Sequence, residues 1–195
     1  MVIDIKKEFD QKRIQELIYD LLIELGDDPT REGLLETPSR AARMLSEVLE
    51  GMRYTNSEIA EMFGKTFSFT ESNDLVMLKD IEVFSFCEHH LALIYNMRVH
   101  VGYIPNKRVI GLSKIARIAD MAAKRLQLQE RLCCDIADIL EMVLDTENVM
   151  VIVEGEHSCI TTRGIKSRGA TTKAISTRGR FADETELAKT VYSLL

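Results

Sequence analysis

The chain has 195 residues, of which 46% are hydrophobic and 29% charged, and a net charge of −6. That length supplies one domain with a sizeable core and is short for two. No apolar run reaches the ~18 residues of a membrane span, which argues against a membrane partner, and the acidic balance argues against a nucleic-acid partner.

The segment Met1 to Asp10 carries acids among its lysines and lacks the apolar stretch of a secretion signal, so the expected location is cytoplasmic. Ile14, Leu17, Ile18, Leu21, Leu22 and Leu25 recur at helical spacing, and Gly26 is a natural stop. After a polar loop, Thr37-Pro38 reads as a helix cap followed by proline at the first helical position, with the helix running to about Gly51. A short third helix is expected over Ser57 to Phe63.

From Lys65 the period changes. Lys65–Thr70, Leu75–Phe86 and Leu91–Ile104 read as strands. In the last of these, Met97, Val99, Val101 and Tyr103 alternate with Arg98, His100 and Gly102, one buried face against one polar face. His100 is therefore expected at the surface. Ser113 is read as the cap of a helix with Ile115, Ile118, Ala119 and Ala122 inward. A second helix spans about Leu128 to Leu144, and Val149–Glu154 and Thr171–Thr177 read as strands before a terminal helix, Thr185–Leu194. The fold class is α+β: a helical N-terminal part, residues 1–64, and a β-β-α-α-β-β part, residues 65–195, whose antiparallel sheet is backed by two helices. Such a sheet has two open edges, of the kind commonly paired with another subunit, so a homo-oligomer is expected.

The four cysteines are Cys87, Cys133, Cys134 and Cys159. In a cytosolic chain an even count does not imply disulfides, and the adjacent pair Cys133-Cys134 diverges on a helix. The strongest chemical signal is Cys87-Glu88-His89-His90 together with His157-Ser158-Cys159. Thiolate and imidazole are the ligands zinc prefers. Cys87 and His90 have the spacing to meet one ion at a strand end, and Cys159 can add a third ligand. Three protein ligands leave a fourth position for water, the mark of a catalytic zinc site, and the ion lowers that water's pKa towards ~7. His89 and His157 are then proton-moving groups beside the ion.

A second signal is Ser113, Lys114 and Arg117 at a helix start, where backbone donors and cations together suit a phosphate. Arg163 follows the Cys159 segment and can add charge. Arg40 and Arg43 lie in the first turns of their helix, where the dipole favours acids unless an anion is bound. The third is Gln127-Leu128-Gln129-Glu130-Arg131 at another helix start. A carboxylate there can read the donor edge of guanine, or it can simply complement the helix dipole.

Five stretches, in this order and spacing, closely resemble the GTP cyclohydrolase I family: Phe84 to His90, Gly102-Tyr103-Ile104-Pro105, Val109 to Lys114, Gln127 to Leu132, and His157-Ser158-Cys159. The stretch Asp28 to Arg40 adds to the match, and the resemblance covers roughly Asp28 to Phe181. It implies hydrolysis of GTP to formate and 7,8-dihydroneopterin triphosphate, the entry to tetrahydrofolate and pterin synthesis. It implies a tunnel fold assembled into a toroidal decamer. By motif it implies Cys87, His90 and Cys159 as ligands of Zn2+, and His89 and His157 as the proton-transferring pair. Ser113 is implied as a possible proton donor and Glu130 as the guanine anchor, with Gln129 beside it in the base site. Lys114, Arg117, Arg163, Arg40 and Arg43 are implied as ribose-triphosphate contacts. Two other readings compete: a tunnel-fold reductase, which needs a cysteine nucleophile and a nicotinamide, and a non-catalytic oligomer stabilised by zinc.

Overall fold

The computed structural model describes residues 8–69 and 74–195. Most of the N-terminal segment considered above, residues 1–7, and Thr70 of the first expected strand lie outside the described residues. The chain divides into two compact units, Met1–Arg53 and Tyr54–Leu195.

In the first unit, α1 (Gln11–Glu24) opens on the Asp10 carboxylate, which accepts from Arg13 N at 2.9 Å. It closes before Gly26, whose φ of +84° is a left-handed conformation that costs glycine little. α2 (Thr37–Val48) starts one residue earlier than expected: Thr37 is its first helical residue, Glu36 precedes it, and no side chain caps the turn. A 3-10 turn, Glu50–Arg53, ends this unit.

The second unit opens with α3 (Asn56–Phe63), started by a reciprocal cap between Thr55 and Glu58. α3 packs on later helices of this unit, which places the division before this helix rather than after it. There follow β1 (Thr66–Ser68), β2 (Val76–Cys87), β3 (Ala92–Tyr103), β4 (Arg108–Ile110), α4 (Leu112–Ala123), β5 (Leu126–Gln127), α5 (Gln129–Leu144), β6 (Val149–His157), α6 (Ser158–Thr161), β7 (Thr172–Thr177), α7 (Arg180–Asp183) and α8 (Thr185–Ser193). The main sheet has the order β5-β2-β3-β6-β7, and β1 pairs with β4 apart from it. The sheet is antiparallel except at one edge, where the two-residue β5 runs parallel to the end of β2. So short a strand carries no alternation from which to read it.

α4 and α5 bury Ile115, Ile118, Ala119, Ala122, Leu132, Ile136, Ile139 and Leu140 against Met97, Val99, Val101 and Tyr103, as the periodicity requires. Each such aliphatic side chain contributes about 1.5–3 kcal/mol by leaving water. The opposite face is not uniformly polar. At the Tyr103 end a second cluster, Ile104, Met150, Ile152, Phe181 and Val191, brings α7 and α8 onto it. Gly102 lies beneath them: a Cβ there would meet Leu75 Cδ1 at 3.4 Å, Val191 Cγ2 at 3.8 Å and Phe181 Cζ at 3.9 Å. His100, expected at the surface, is instead buried, at 5% exposure, between Asp80 and Glu154.

Candidate metal-centred site

One end of the main sheet collects nearly all the reactive side chains. There β2 ends at Cys87, β3 begins at Ala92 paired to it, and β6 ends at His157, paired with Ile94. The connection between β2 and β3 is a tight turn. His90 N–H reaches back to Cys87 O at 3.4 Å, and Leu91 takes a φ of +50° to re-enter β3. Glu88 N–H donates to Gln127 O at 3.1 Å, which ties the turn to β5.

Cys87 is buried while His89 and His90 are exposed. The Cys87 Sγ lies 3.8 Å from His89 Nδ1 and 3.9 Å from His90 Nδ1. Cys159 sits in the first turn of α6, just past β6. One ligand atom each from Cys87, His90 and Cys159 falls within 4.8 Å of the others, so these three residues can hold a metal ion. Two sulfurs and an imidazole nitrogen are the donor set zinc favours among divalent ions. Burial first, and then the neighbouring Cys87, raise the Cys159 thiol above its ordinary range, while Arg163 lowers it. A divalent cation between two such sulfurs reverses that balance and holds both as thiolates.

His157 lies behind this group. Burial lowers its pKa from the usual imidazole range, partly offset by the nearby Glu130 carboxylate. Its Nε2 is 2.9 Å from Gln129 Oε1. Gln129, expected in the base site, is itself buried, and its amide bonds within the chain to Val153 O, Thr172 O and Thr172 Oγ1. Glu130, one residue on, is exposed at the first turn of α5. The same end of the sheet thus brings together Cys87, His89, His90, Cys159, His157, Gln129, Glu130 and Arg163.

Ser113, Lys114 and Arg117 are not brought there. α4 approaches the Cys87 end with its C-terminus, where Ser85 Oγ donates to Ala123 O at 2.7 Å. Ser113 and Lys114 therefore sit about 14–15 Å from that end along the helix axis, and Arg117, one turn nearer, about 9 Å, at 1.5 Å per residue. The capping expectation for Ser113 is also corrected: Gly111 occupies the cap in an extended conformation directly after β4, and Ser113 stands inside the first turn. Lys114 leans over the Phe63 ring, its Nζ 5.9 Å from the centroid. Arg40 and Arg43 are exposed on α2 in the other compact unit, and Arg40 pairs with Glu36.

Cys133 is a core thiol. Its Sγ donates to Val151 O at 3.0 Å, and burial pushes it up to about 12. Cys134 is exposed.

A polar scaffold missed by motif reading stands behind the turn. Arg131 pairs with Glu88, donates to Leu126 O at 2.8 Å and to Gln127 Oε1 at 2.9 Å. Gln127 Nε2 donates to Asp135 Oδ2 at 2.9 Å, and Asp135 holds Arg125 at 3.0 Å and Asn56 at 3.1 Å. The signal available in the sequence was Asp135 one turn after Arg131 on the same helical side, with Gln127 four residues before Arg131, just ahead of the helix.

Fold and site together define an α+β protein with a cysteine- and histidine-lined metal-type centre at one sheet end. The chain belongs to the GTP cyclohydrolase I family, whose profile matches residues 14–195. A protein named GTP cyclohydrolase 1 from Clostridium acetobutylicum is 55% identical over 189 residues, covering 95% of this chain and 97% of the relative. One of the same name from Clostridium botulinum is 58% identical over 177 residues, covering 88% and 90% respectively. Another, from Ruminiclostridium cellulolyticum, is 54% identical over 190 residues, covering 95% and 97%.

Proposed function

We propose that this chain is a zinc-dependent GTP cyclohydrolase I, converting GTP and water to formate and 7,8-dihydroneopterin triphosphate. The observation that carries the reading is the meeting of Cys87, His90 and Cys159 with His89, His157 and Glu130 at one sheet end, in a chain of this family.

Cys87, His90 and Cys159 hold the ion. When bound, it supplies a nucleophilic water ionised near neutral pH. Glu130 accepts from guanine N1–H and the exocyclic amine, two adjacent donors that adenine lacks. That anchors the base so that C8 faces the ligand triad. His89 takes a proton from the attacking water and returns it as the imidazole ring of the purine opens. His157 serves the second hydrolysis, in which formate leaves. Histidine suits both steps because its protonation is poised near neutrality. The ribose then rearranges and closes on the freed amine to form the pterin, with Ser113 as proton donor.

Ser113 and Lys114 lie near the end of α4 remote from the triad of their own chain, with Arg117 one turn nearer, so we assign them to the triphosphate and ribose of a site completed by a second copy. Arg163 joins that anion site from the triad's own chain. Such sharing requires assembly. The free edge of β7 and the part of β2 beyond its short pairing with β5 supply strands for it, in a tunnel-type ring that we take as a decamer. The enzyme acts in the cytoplasm, in tetrahydrofolate and pterin synthesis.

Incubation with GTP and zinc tests the reading, with formate and pterin fluorescence followed together. Equimolar formate and pterin are expected. Formate without pterin, or neither product from protein carrying one zinc per chain, overturns it.

A further inference from the structure

Gln129 is 3% exposed, and the whole of its side-chain amide is engaged. Nε2 donates to Val153 O at 2.7 Å and to Thr172 O at 3.0 Å. Both partners are carbonyl oxygens, which only accept. The –NH2 end must therefore face them, because the flipped amide would set oxygen against two oxygens. The surroundings thus settle which end is which.

Oε1 is then turned the other way, towards Thr172 Oγ1 at 2.5 Å and His157 Nε2 at 2.9 Å. A carbonyl oxygen accepts only, so the imidazole nitrogen facing it carries the hydrogen. The other ring nitrogen, Nδ1, is left with the lone pair. The backbone closes tightly around this arrangement. A Cβ on Gly155 would meet Met97 Cγ at 3.0 Å and Ile94 Cγ2 at 3.3 Å, with Gln129 Oε1 at 3.7 Å.

We propose that Gln129 is a positioning residue for His157: with Thr172 it fixes the imidazole in the Nε2–H tautomer and presents Nδ1 as the nitrogen that exchanges a proton with substrate. This replaces the expectation that Gln129 binds the base. It rests on the reading of His157 as a proton-transfer group in GTP opening.

The two roles divide cleanly in kinetics. A base contact contributes to binding, so its loss raises KM. A positioning residue acts through His157, so its loss lowers kcat and leaves KM and metal content alone. Steady-state formate release is measured for Gln129→Met, His157→Ala and the double variant, with zinc content and thermal unfolding recorded for each. Gln129→Met is expected to lower kcat by ~10²-fold, the scale of a small misplacement of a catalytic group. KM for GTP should stay within about twofold and zinc at one per chain. In the His157→Ala background the same substitution should cost less than about twofold more, since the group it orients is gone. A raised KM with unchanged kcat, an unchanged kcat, or losses that multiply in the double variant each overturn the proposal. Should Gln129→Met fail to fold, Thr172→Val must lower kcat with KM unchanged and Thr172→Ser must restore it. If it does not, the proposal falls. Wild-type turnover in His157→Ala would instead remove the underlying reading of His157, a distinct result from an inactive His157→Ala beside a fully active Gln129→Met.

Discussion

The two ends of the main sheet are built on different principles. At the Tyr103 end, apolar packing does the holding: Phe181 and Val191 close over Gly102, Ile104, Met150 and Ile152. At the Cys87 end, the turn that carries His89 and His90 is exposed, and directed polar bonds hold it. Arg131 grips Glu88, Gln127 grips Arg131, and Asp135 with Arg125 and Asn56 fixes Gln127. The lesson is one of geometry against area. Apolar burial is non-directional and suits an end that need only be stable. Hydrogen bonds to charged groups specify direction, which side chains converging on one atom need.

The contrast predicts that substitutions at the Cys87 end change chemistry more than stability. The largest effect is expected for Cys159→Ser, where a neutral hydroxyl replaces a thiolate. Metal analysis should find the zinc gone and formate release at background. Full zinc occupancy would strike Cys159 from the ligand set. Next come the adjacent histidines. His90→Ala should empty or distort the site, whereas His89→Ala should retain zinc and lose ~10²–10⁴-fold in turnover. Zinc content and formate release measured side by side decide it, and the reverse pattern exchanges their roles. Glu130→Gln should follow, with GTP turnover down by at least ~10-fold through loss of a charged acceptor for two base donors. Unchanged turnover would leave Glu130 as no more than an acid at a helix start.

The far end should behave the opposite way. Phe181 is 2% exposed in the second apolar cluster, and Phe181→Ala should cost about 3–5 kcal/mol. Thermal unfolding at fixed protein concentration is expected to fall by ~6–20 °C while kcat of the folded fraction is retained. A large loss of kcat without loss of stability would erase the distinction between the two ends.

How far the sequence foretold this arrangement depends on the range of the contacts involved. The meeting of Cys87, His90 and Cys159 was legible because Cys87 and His90 are local partners, and Cys159 is their only thiol companion at another strand end. The two main helices were legible from Ile115, Ile118, Leu132 and Ile136, whose period needs no knowledge of what they pack against. Ser113, Lys114 and Arg117 read as part of one pocket with Cys87, yet the direction of α4 carries Ser113 and Lys114 to its other end and Arg117 to its middle. A helix's polarity relative to a sheet is a tertiary fact. Gln129 was grouped with Glu130 by adjacency, but neighbouring positions on a helix face about 100° apart, so one is buried and the other exposed. Nothing in the residues around Gly102 marks the cover that α7 and α8 place over it.

His100, on the same face of β3 as Gly102, supports the smallest and last prediction. Its Nδ1 accepts from Asp80 N–H at 3.2 Å, at a bulge where Asp80 takes a φ of +59°. That leaves Nε2 with the hydrogen, buried without a hydrogen-bond partner, 3.7 Å from Glu154 Oε1. Glu154 is already paired with Lys173 at 2.6 Å, and Asp80 with Arg98 at 3.0 Å. Burial therefore outweighs the pull of Glu154 and Asp80, with Lys173 and Arg98 adding to it, and the imidazole pKa is lowered from its ordinary value of 6.5. The sign follows from linkage. Folding favours neutral His100, so its contribution is fully present above the unfolded pKa and is lost as pH falls through the folded one. His100→Gln, which retains an acceptor in that position, should flatten the decline of stability on the acid side of about pH 6.5 relative to the parent. It should leave formate release near neutral pH unaltered, since the residue belongs to the end that holds rather than reacts. Denaturant unfolding from pH 5 to 8 reads the slope, in a window around the imidazole's ordinary titration range. A steeper acid slope in the variant would mean that the charged form of His100, paired with Glu154, is the one the fold prefers.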